Sequence, residues 1–557
     1  MAEKIGKFGA EGLIIIFACS ATILAMWKLN NDTWFILNCG RYVIETGTIP
    51  HIEFATMHED FDYVMDQWLT AIIFWKIFSN FGADALIFLA WILGVILILT
   101  YYKLCLFVSD GNKKISAILT FIVCLAISCK DISTSFISTR PQMFSMLILL
   151  TEIFLLEKFV HTKNKRLLYF LPLLSVACVN FHSAVFPMLI VVLMPFIAES
   201  LILNFKKIST PFLPLIFTAA GIFLAGFINP YGLGAMLYLF NSIDPNISIL
   251  VAEMNAPSFG NFVNNLFFAC AALMLVVYSK KSMPIRYFFL TFGLMVLAFH
   301  VSRSIFMFLI LGTFPLAYAA KDFKPFDKFF NIRHKLFLPL FFICGVEFYF
   351  LCIQIENSIV EIPLSMKIIF TLAIIFLACF IFFYRREGKL FSEEIFILRR
   401  KQLIALAVFQ AIIISHFVYL NFPIKDYEPH KAALDFLLSK NRAEDIILWT
   451  GYNSGGYAEF RGVKTYIDPR AEVFIPANNH KKDIFKEYCE LKYGILDYAE
   501  FFSRYNFTHI FVTKIDSVPY ALLSEDKEHF RLIFEYDFFD YDYPIINHGK
   551  IFVPIKK

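Results

Sequence analysis

The sequence predicts a multi-spanning α-helical membrane protein that ends in a folded α/β domain outside the membrane. Three observations predict it. Long apolar runs recur between Met1 and Leu420, Lys and Arg collect in every second loop between those runs, and the last 137 residues, 421–557, read as an ordinary mixed sequence. Hydrophobic residues make up 58% of the 557, and Phe alone supplies 68 of them. With a mean hydropathy of +0.64, a water-soluble fold is excluded.

A helix needs about 20 apolar residues to cross the hydrocarbon core of a bilayer. Spans are expected near 11–28, 83–106, 115–129, 141–160, 167–180, 184–204 and 211–228. Six more are expected near 263–279, 286–300, 304–320, 336–354, 364–384 and 402–420, which makes about thirteen in all. The basic start and first apolar stretch lack a small-residue cleavage site between Trp27 and Asp32, so the first helix is read as uncleaved.

The loops holding Lys113 and Lys114, Lys163 to Arg166, Lys206 and Lys207, Lys280 to Arg286, Lys321 to Lys335 and Arg385 to Lys401 are read as cytoplasmic. The opposite loops hold few basic residues, chiefly Arg41, Lys130, Arg140 and Arg303. That asymmetry puts the N-terminus in the cytoplasm and, with an odd number of spans, residues 421–557 outside. The net charge of +4 is accounted for by these anchors and calls for no nucleic-acid partner. Most of the eleven cysteines fall singly within spans, and only Cys39 and Cys489 lie clearly outside, so no disulfide framework is expected.

The first outer loop, 29–82, is too long for a simple connector. Trp34, Leu37, Tyr42 and Ile44 recur at helical spacing over 33–45, as in a helix lying in the membrane interface. Gly47 and Pro50 end it, and a second amphipathic stretch runs from Gln67 to Phe78. Asp32 stands directly after the first span. There a carboxylate is partly desolvated, which suits a general base, although Asp ahead of a helical run is also a strong N-cap.

Arg140 opens one span and Arg303 stands between two others. A guanidinium at the membrane edge is costly unless it snorkels or pairs, and its planar fork grips phosphate. Both are candidates for phosphate binding or, alternatively, helix-end anchors paired with Asp131 or another acid. Glu53, Asp66, Trp68, His182, Asn229, Tyr231 and Glu253 recur on the same predicted side and are candidate substrate contacts around a polar outer cavity. Taken singly, His182 reads equally as a hydrogen-bonded interfacial residue, and Asn229-Pro230-Tyr231-Gly232 as a turn.

Residues 421–557 have the size of one domain. Strands are expected at 445–449, 464–468, 509–513, 532–536 and 550–554, and helices near 429–439, 479–490 and 518–528. The run Gly451 to Tyr457 reads as turn chemistry or as a loop that approaches a glycan, and Asp468 and Arg470 as a strand-end brace or as cavity-facing groups.

Taken in order, Asp32-Thr33-Trp34, Leu37, Gly40-Arg41, Gly47, Ile49-Pro50, Asp66-Gln67-Trp68-Leu69, Arg140-Pro141-Gln142, Asn180-Phe181-His182, Asn229-Pro230-Tyr231-Gly232 and Glu253 resemble bacterial membrane proteins of the GT-C glycosyltransferase superfamily. The C-terminal Gly455-Gly456-Tyr457 and Ile467-Asp468-Pro469-Arg470 resemble the same group, so the likeness spans nearly the whole chain. It implies a GT-C-like fold in the bacterial cytoplasmic membrane and inverting transfer of a sugar from a polyprenyl phosphate. The acceptor would be a glycan, lipid or protein on the outer face. The acid beside the first span, here Asp32, would be the base. The chain departs from the pattern in one place, with Asp66-Gln67-Trp68 where His-Glu-Trp is expected.

On this reading Asp32 takes the proton of the attacking acceptor hydroxyl, and Arg140 or Arg303 stabilises the departing phosphate. Glu53, Asp66 and Glu253 would orient sugar or acceptor, or hold a divalent cation such as Mg or Mn. Two other classes stay open: a lipid-linked glycan transporter or flippase, and a non-catalytic assembly protein of an envelope glycan pathway. A transporter is expected to show charged residues near span centres and internal repeats, and the sequence is read as showing neither.

Overall fold

The computed structural model describes residues 29–127, 138–208, 210–259, 262–322, 428–540 and 545–555, with isolated positions between 12 and 22. Its helices are α1 (Asp32–Thr46), α2 (Trp68–Phe81), α3 (Ala83–Val108), α4 (Lys113–Ile127), α5 (Gln142–Thr162), α6 (Leu171–Phe181), α7 (Phe186–Phe205) and α8 (Phe212–Ala225). Three short helices follow, α9 (Leu233–Met236), α10 (Tyr238–Asn241) and α11 (Ile247–Leu250), then α12 (Phe262–Lys280), α13 (Ile285–His300) and a mixed helical run, α14 (Ser302–Ala319).

Among the described residues four helical stretches are long and apolar enough to cross a membrane: Ala83–Val108, Ser183–Phe205, Val263–Lys280 and Ser302–Ala319. The chain is therefore a mostly helical protein with membrane-spanning character, but the expected spans are not reproduced one for one. The span expected at 167–180 is a 3-10 turn followed by α6, whose 11 residues extend only about 16 Å at 1.5 Å per residue. The 21-residue α5 carries Glu152, Glu157 and Lys158, which suits a helix enclosed by others rather than one facing lipid. The spans expected at 336–354, 364–384 and 402–420, and most of that at 11–28, lie outside the described residues.

The first loop follows its sequence closely. Gly47 adopts φ 70° and its N–H caps α1 on the Val43 carbonyl, while α2 begins one residue after Gln67. Gly40 lets α1 lie directly on α2: a Cβ there would stand 2.0 Å from the Ala71 carbonyl oxygen.

The C-terminal part contains α15 (Lys431–Lys440), β1 (Ile447–Trp449), α16 (Tyr452–Phe460), β2 (Lys464–Thr465), α17 (Ile484–Lys492), α18 (Tyr498–Arg504), β3 (His509–Thr513), α19 (Ser517–Glu525), β4 (Phe530–Asp540) and β5 (Ile545–Pro554). The sheet order is β2-β1-β3-β5-β4, with β1 parallel to both neighbours and β5 antiparallel to β3 and β4. All five expected strands are present. Two helices were not expected, α16 and α18. Gly455 and Gly456 make the 452–460 segment look like a turn, yet they sit mid-helix, and at Gly455 a neighbour comes too close for a side chain. A Cβ at Gly455 would stand 2.0 Å from the Ile467 carbonyl oxygen.

This domain does not stand apart from the first loop. Phe35, Ile36, Leu37, Tyr63 and Phe74 share one buried core with Trp449, Tyr466, Phe474, Phe485 and Phe501. Trp34 stacks against Tyr457 and Phe460 with ring centroids 5.0 Å away in each case. The loop also adds to the sheet's edge, where Thr56 bridges Thr465 in parallel and Met57 N–H donates to the Thr465 carbonyl at 2.9 Å.

Candidate functional site

The start of α1 and the start of α5 are stitched together by two threonines. Thr33 Oγ1 donates to the Thr139 carbonyl at 3.2 Å, and the two hydroxyls also bond to each other. That register brings the carboxylate of Asp32 onto the guanidinium of Arg140 as an ion pair, with both side chains less than a fifth exposed. Asp32 is therefore not the N-cap. Asn31 holds that position, and Asp32 is the first helical residue, with its side chain turned to Arg140. Asp131, the other acid considered for Arg140, lies outside the described residues.

A second pair lies beside the first. Arg303 reaches Glu253 at 3.6 Å, and the two segments are tied where Ser302 donates to the carbonyls of Asn255 and Glu253. Burial pulls the Arg140 guanidinium down to about 10; Glu253 opposes that fall and Arg303 adds to it. Both arginines are thus close enough to feel one another.

His182 and Asp66 complete this face. His182 Nδ1 bonds Ser145 Oγ at 2.8 Å, and Nε2 lies 3.7 Å from Asp66 Oδ2. Asp66 is placed by its own carbonyl, which accepts from Ser183 N–H at 2.8 Å. Burial drives His182 down to about 3, helped by Arg303 and Arg140, so the ring is neutral at physiological pH. Burial raises the Asp66 carboxyl well above its usual range, Glu472 adds to the rise, and Arg303 opposes it. Two carboxyls of this cluster thus sit in opposite settings, one against an arginine and one against a neutral imidazole.

The remaining candidates divide between the chamber and its scaffold. Trp68 Nε1 donates to Asn180 Oδ1 at 2.9 Å, and Asn180 also donates to the Ile228 carbonyl at 2.8 Å, which fixes α2 to α6. Asn229 spends its amide on the carbonyls of Gly226 and Gly232 and accepts from Tyr231 N–H, so it is the brace of a turn. Tyr231 Oη donates to the Pro50 carbonyl at 2.8 Å and holds the first loop.

Glu53 is a correction. Its carboxylate is buried and accepts from Arg470 at 2.9 Å, from the N–H groups of Ala55 and Thr56, and from Thr56 Oγ1 at 2.6 Å. Those bonds occupy both oxygens and leave it no role toward a substrate. Arg470 is also bonded to Asp468 and lies 3.4 Å from Glu459. The Asp468–Arg470 pair is thus an internal brace between domain and loop, the first of its two sequence readings. The charge of Arg470 holds Glu53 low against burial, whereas burial and the neighbouring acids push Glu459 up. With Glu53 committed to Arg470 and Glu253 to Arg303, the three acids named for a divalent cation occupy separate settings. Among the described residues no group of three or more His, Cys, Asp or Glu is arranged to hold a metal ion.

Several charged groups inside the helices were missed or read differently. Arg286, expected as a loop anchor, is buried and joins Glu157 at 2.8 Å and Glu199 at 2.7 Å, tying α13 to α5 and α7. Glu152, midway along α5, is fully buried, and among the described residues neither carboxyl oxygen has a hydrogen-bond partner. An acid is therefore buried partway along a helix of the bundle. The domain's contributions to the chamber were also missed. Glu472 and Tyr452 act on the charge of Arg140, and Tyr238 Oη donates to Glu472 Oε1 at 2.7 Å. The only sequence signal for Glu472 was its place two residues after Arg470.

No family model matches the chain, and no curated protein matches it.

Proposed function

We propose that this protein is an inverting glycosyltransferase of the GT-C type, which moves a sugar from a polyprenyl-phosphate donor to an acceptor on the outer face of a bacterial cytoplasmic membrane. The observation that carries this reading is the Asp32–Arg140 ion pair, flanked by Arg303, His182 and Asp66 at one end of an apolar helical bundle. It unites the two chemistries that the transfer requires, a carboxylate base and a cationic grip for phosphate.

The geometry also supports an order of events. Without a donor, Asp32 is engaged by Arg140. A donor phosphate competes for the same guanidinium, whose five N–H groups suit its oxygens, and so frees the carboxylate. Asp32 then accepts the proton of an acceptor hydroxyl as that oxygen bonds to the anomeric carbon from the face opposite the phosphate. The bond to the phosphate oxygen breaks, and Arg140 and Arg303 stabilise the charge that leaves with it. The acceptor is a glycan, a lipid or a protein, and no step in this sequence is assigned to a metal ion.

The test is mass spectrometry of glycolipids and glycoproteins from cells lacking the protein. The reading expects one glycosylated species to disappear and its unmodified acceptor to accumulate. An unchanged glycan inventory would contradict it.

One observation favours a second reading, a transporter of lipid-linked glycans. Glu152 is a buried carboxyl in the helical bundle, and such a group marks proton or substrate pathways where its helix lies within a membrane. In that case the deletion strain would retain the glycosylated lipid and accumulate it on the inner leaflet.

A further inference from the structure

The C-terminal domain contributes an acid, Glu472, to the charged cluster around Arg140 and Asp66. The 3-10 turn Ala471–Phe474 follows directly on Arg470, which is locked to Glu53 of the first loop. That lock fixes where the turn projects. Glu472 is half-buried and bonded to Tyr238 of α10, which packs against the Ser183–Val185 turn beside His182, and its charge acts on Asp66 ahead of α2 and Arg140 ahead of α5. It therefore stands where four separate segments converge.

Its two oxygens differ. Oε1 accepts from Tyr238 Oη at 2.7 Å, while Oε2 has no hydrogen-bond partner among the described residues. Tyr238 is tied to Glu472 itself, and Tyr452, whose charge environment includes Glu472, is fixed where its Oη donates to the Pro469 carbonyl at 2.6 Å. A carboxylate with one oxygen oriented by a buried tyrosine and the other left to accept is chemistry that recognises the hydroxyls of a glycosyl group. The carboxylate accepts sugar O–H bonds.

We propose that Glu472, oriented by Tyr238, is a specificity-determining contact to the hydroxyls of the transferred or accepting sugar, so that one substrate site is built jointly by the helical bundle and the C-terminal domain. This rests on the glycosyl-transfer reading above. It adds that the two arginines serve the phosphate end of the substrate while Glu472 serves the sugar end.

The experiment uses the full-length protein in lipid nanodiscs and the same variants expressed in cells lacking it. The probe is a short-chain polyprenyl phosphate without sugar, with binding followed by calorimetry, and product is followed by mass spectrometry. Glu472→Gln keeps the shape and can still accept from Tyr238, and Tyr238→Phe spares the charge. Glu472→Gln is expected to lower product formation by about tenfold or more while probe binding stays within about twofold of wild type. Tyr238→Phe is expected to lower product by a smaller factor, again with probe binding unchanged. Wild-type product levels in Glu472→Gln would overturn the assignment, and so would a parallel loss of probe binding, because Glu472 would then act on the phosphate end or on folding. If wild type itself binds the probe but yields no glycosylated product, the transfer reading fails and the Glu472 assignment falls with it.

Discussion

Glu53 and Arg470 meet at 2.9 Å in the interior, one from the first loop and the other from the C-terminal domain. Their meeting makes the loop and the domain one body, since Asp468 and Glu459 close around the same guanidinium and Tyr63 lies beneath it at 5.2 Å. A lone cation among three buried acids is far more costly to remove than to keep. Arg470→Met is therefore expected to destabilise the folded protein by about 3–5 kcal/mol, because it leaves carboxylates buried with no counter-charge. Thermal unfolding in nanodiscs reads this directly, and a midpoint equal to wild type would show that the domain docks without the pair.

Two adjacent glycines of α16 make opposite predictions. Gly455 has no room for a methyl group, since the obstacle is the Ile467 backbone oxygen at 2.0 Å, whereas at Gly456 the nearest atoms stand at 3.4 Å and beyond, an ordinary contact. Gly455→Ala is expected to cost about 1–3 kcal/mol through a forced backbone shift. Gly456→Ala should be neutral or slightly stabilising, since Ala favours a helix over Gly by roughly 1 kcal/mol. Equal thermal midpoints for the two variants would mean that α16 does not lie against the Ile467 strand end as described.

His182 gives a pH dependence with a definite sign. Its ring is held down to about 3 in the folded protein, while in an unfolded chain it takes a proton near pH 6.5. Between those values the unfolded state binds more protons, so this residue's contribution favours folding at neutral pH and is lost as the pH falls below about 6.5. His182→Gln retains a partner for Ser145 and removes the titration. The drop in thermal midpoint between pH 7 and pH 5 should then be smaller in the variant than in wild type. An equal drop would show that His182 takes up its proton alike in the folded and unfolded states, so that burial does not hold it down.

The local elements were largely legible in the sequence and the long-range partners were not. Helices over 33–45 and from Gln67 onward are written in apolar spacing, with Gly47 and Pro50 as stops, and all five C-terminal strands are apolar runs between turn residues. The helix α16 was hidden because its glycines read as a turn, while Gly455 answers to the Ile467 backbone, which lies outside its own segment. Span number was hard to read because an apolar run of 14 residues such as Phe212–Ala225 looks alike whether it faces lipid or other helices. At the site, Asp32, Arg140, Arg303, Asp66, His182 and Glu253 were singled out by residue type and position, and the structure brings them together. Glu53 belonged to the same list and serves a different purpose. Nothing local distinguishes an acid that faces a cavity from one that meets an arginine from another domain.

The most direct test of the central claim is Asp32→Asn, expressed at wild-type level in cells lacking the protein, with the glycosylated species measured by mass spectrometry. Asn keeps the volume of Asp32 and can still bond Arg140 through its carbonyl, but it accepts no proton. The account predicts a correctly folded protein, binding of the polyprenyl phosphate probe at least as tight as wild type because Arg140 is released from a charged partner, and loss of the product. Product at the wild-type level from Asp32→Asn would contradict it.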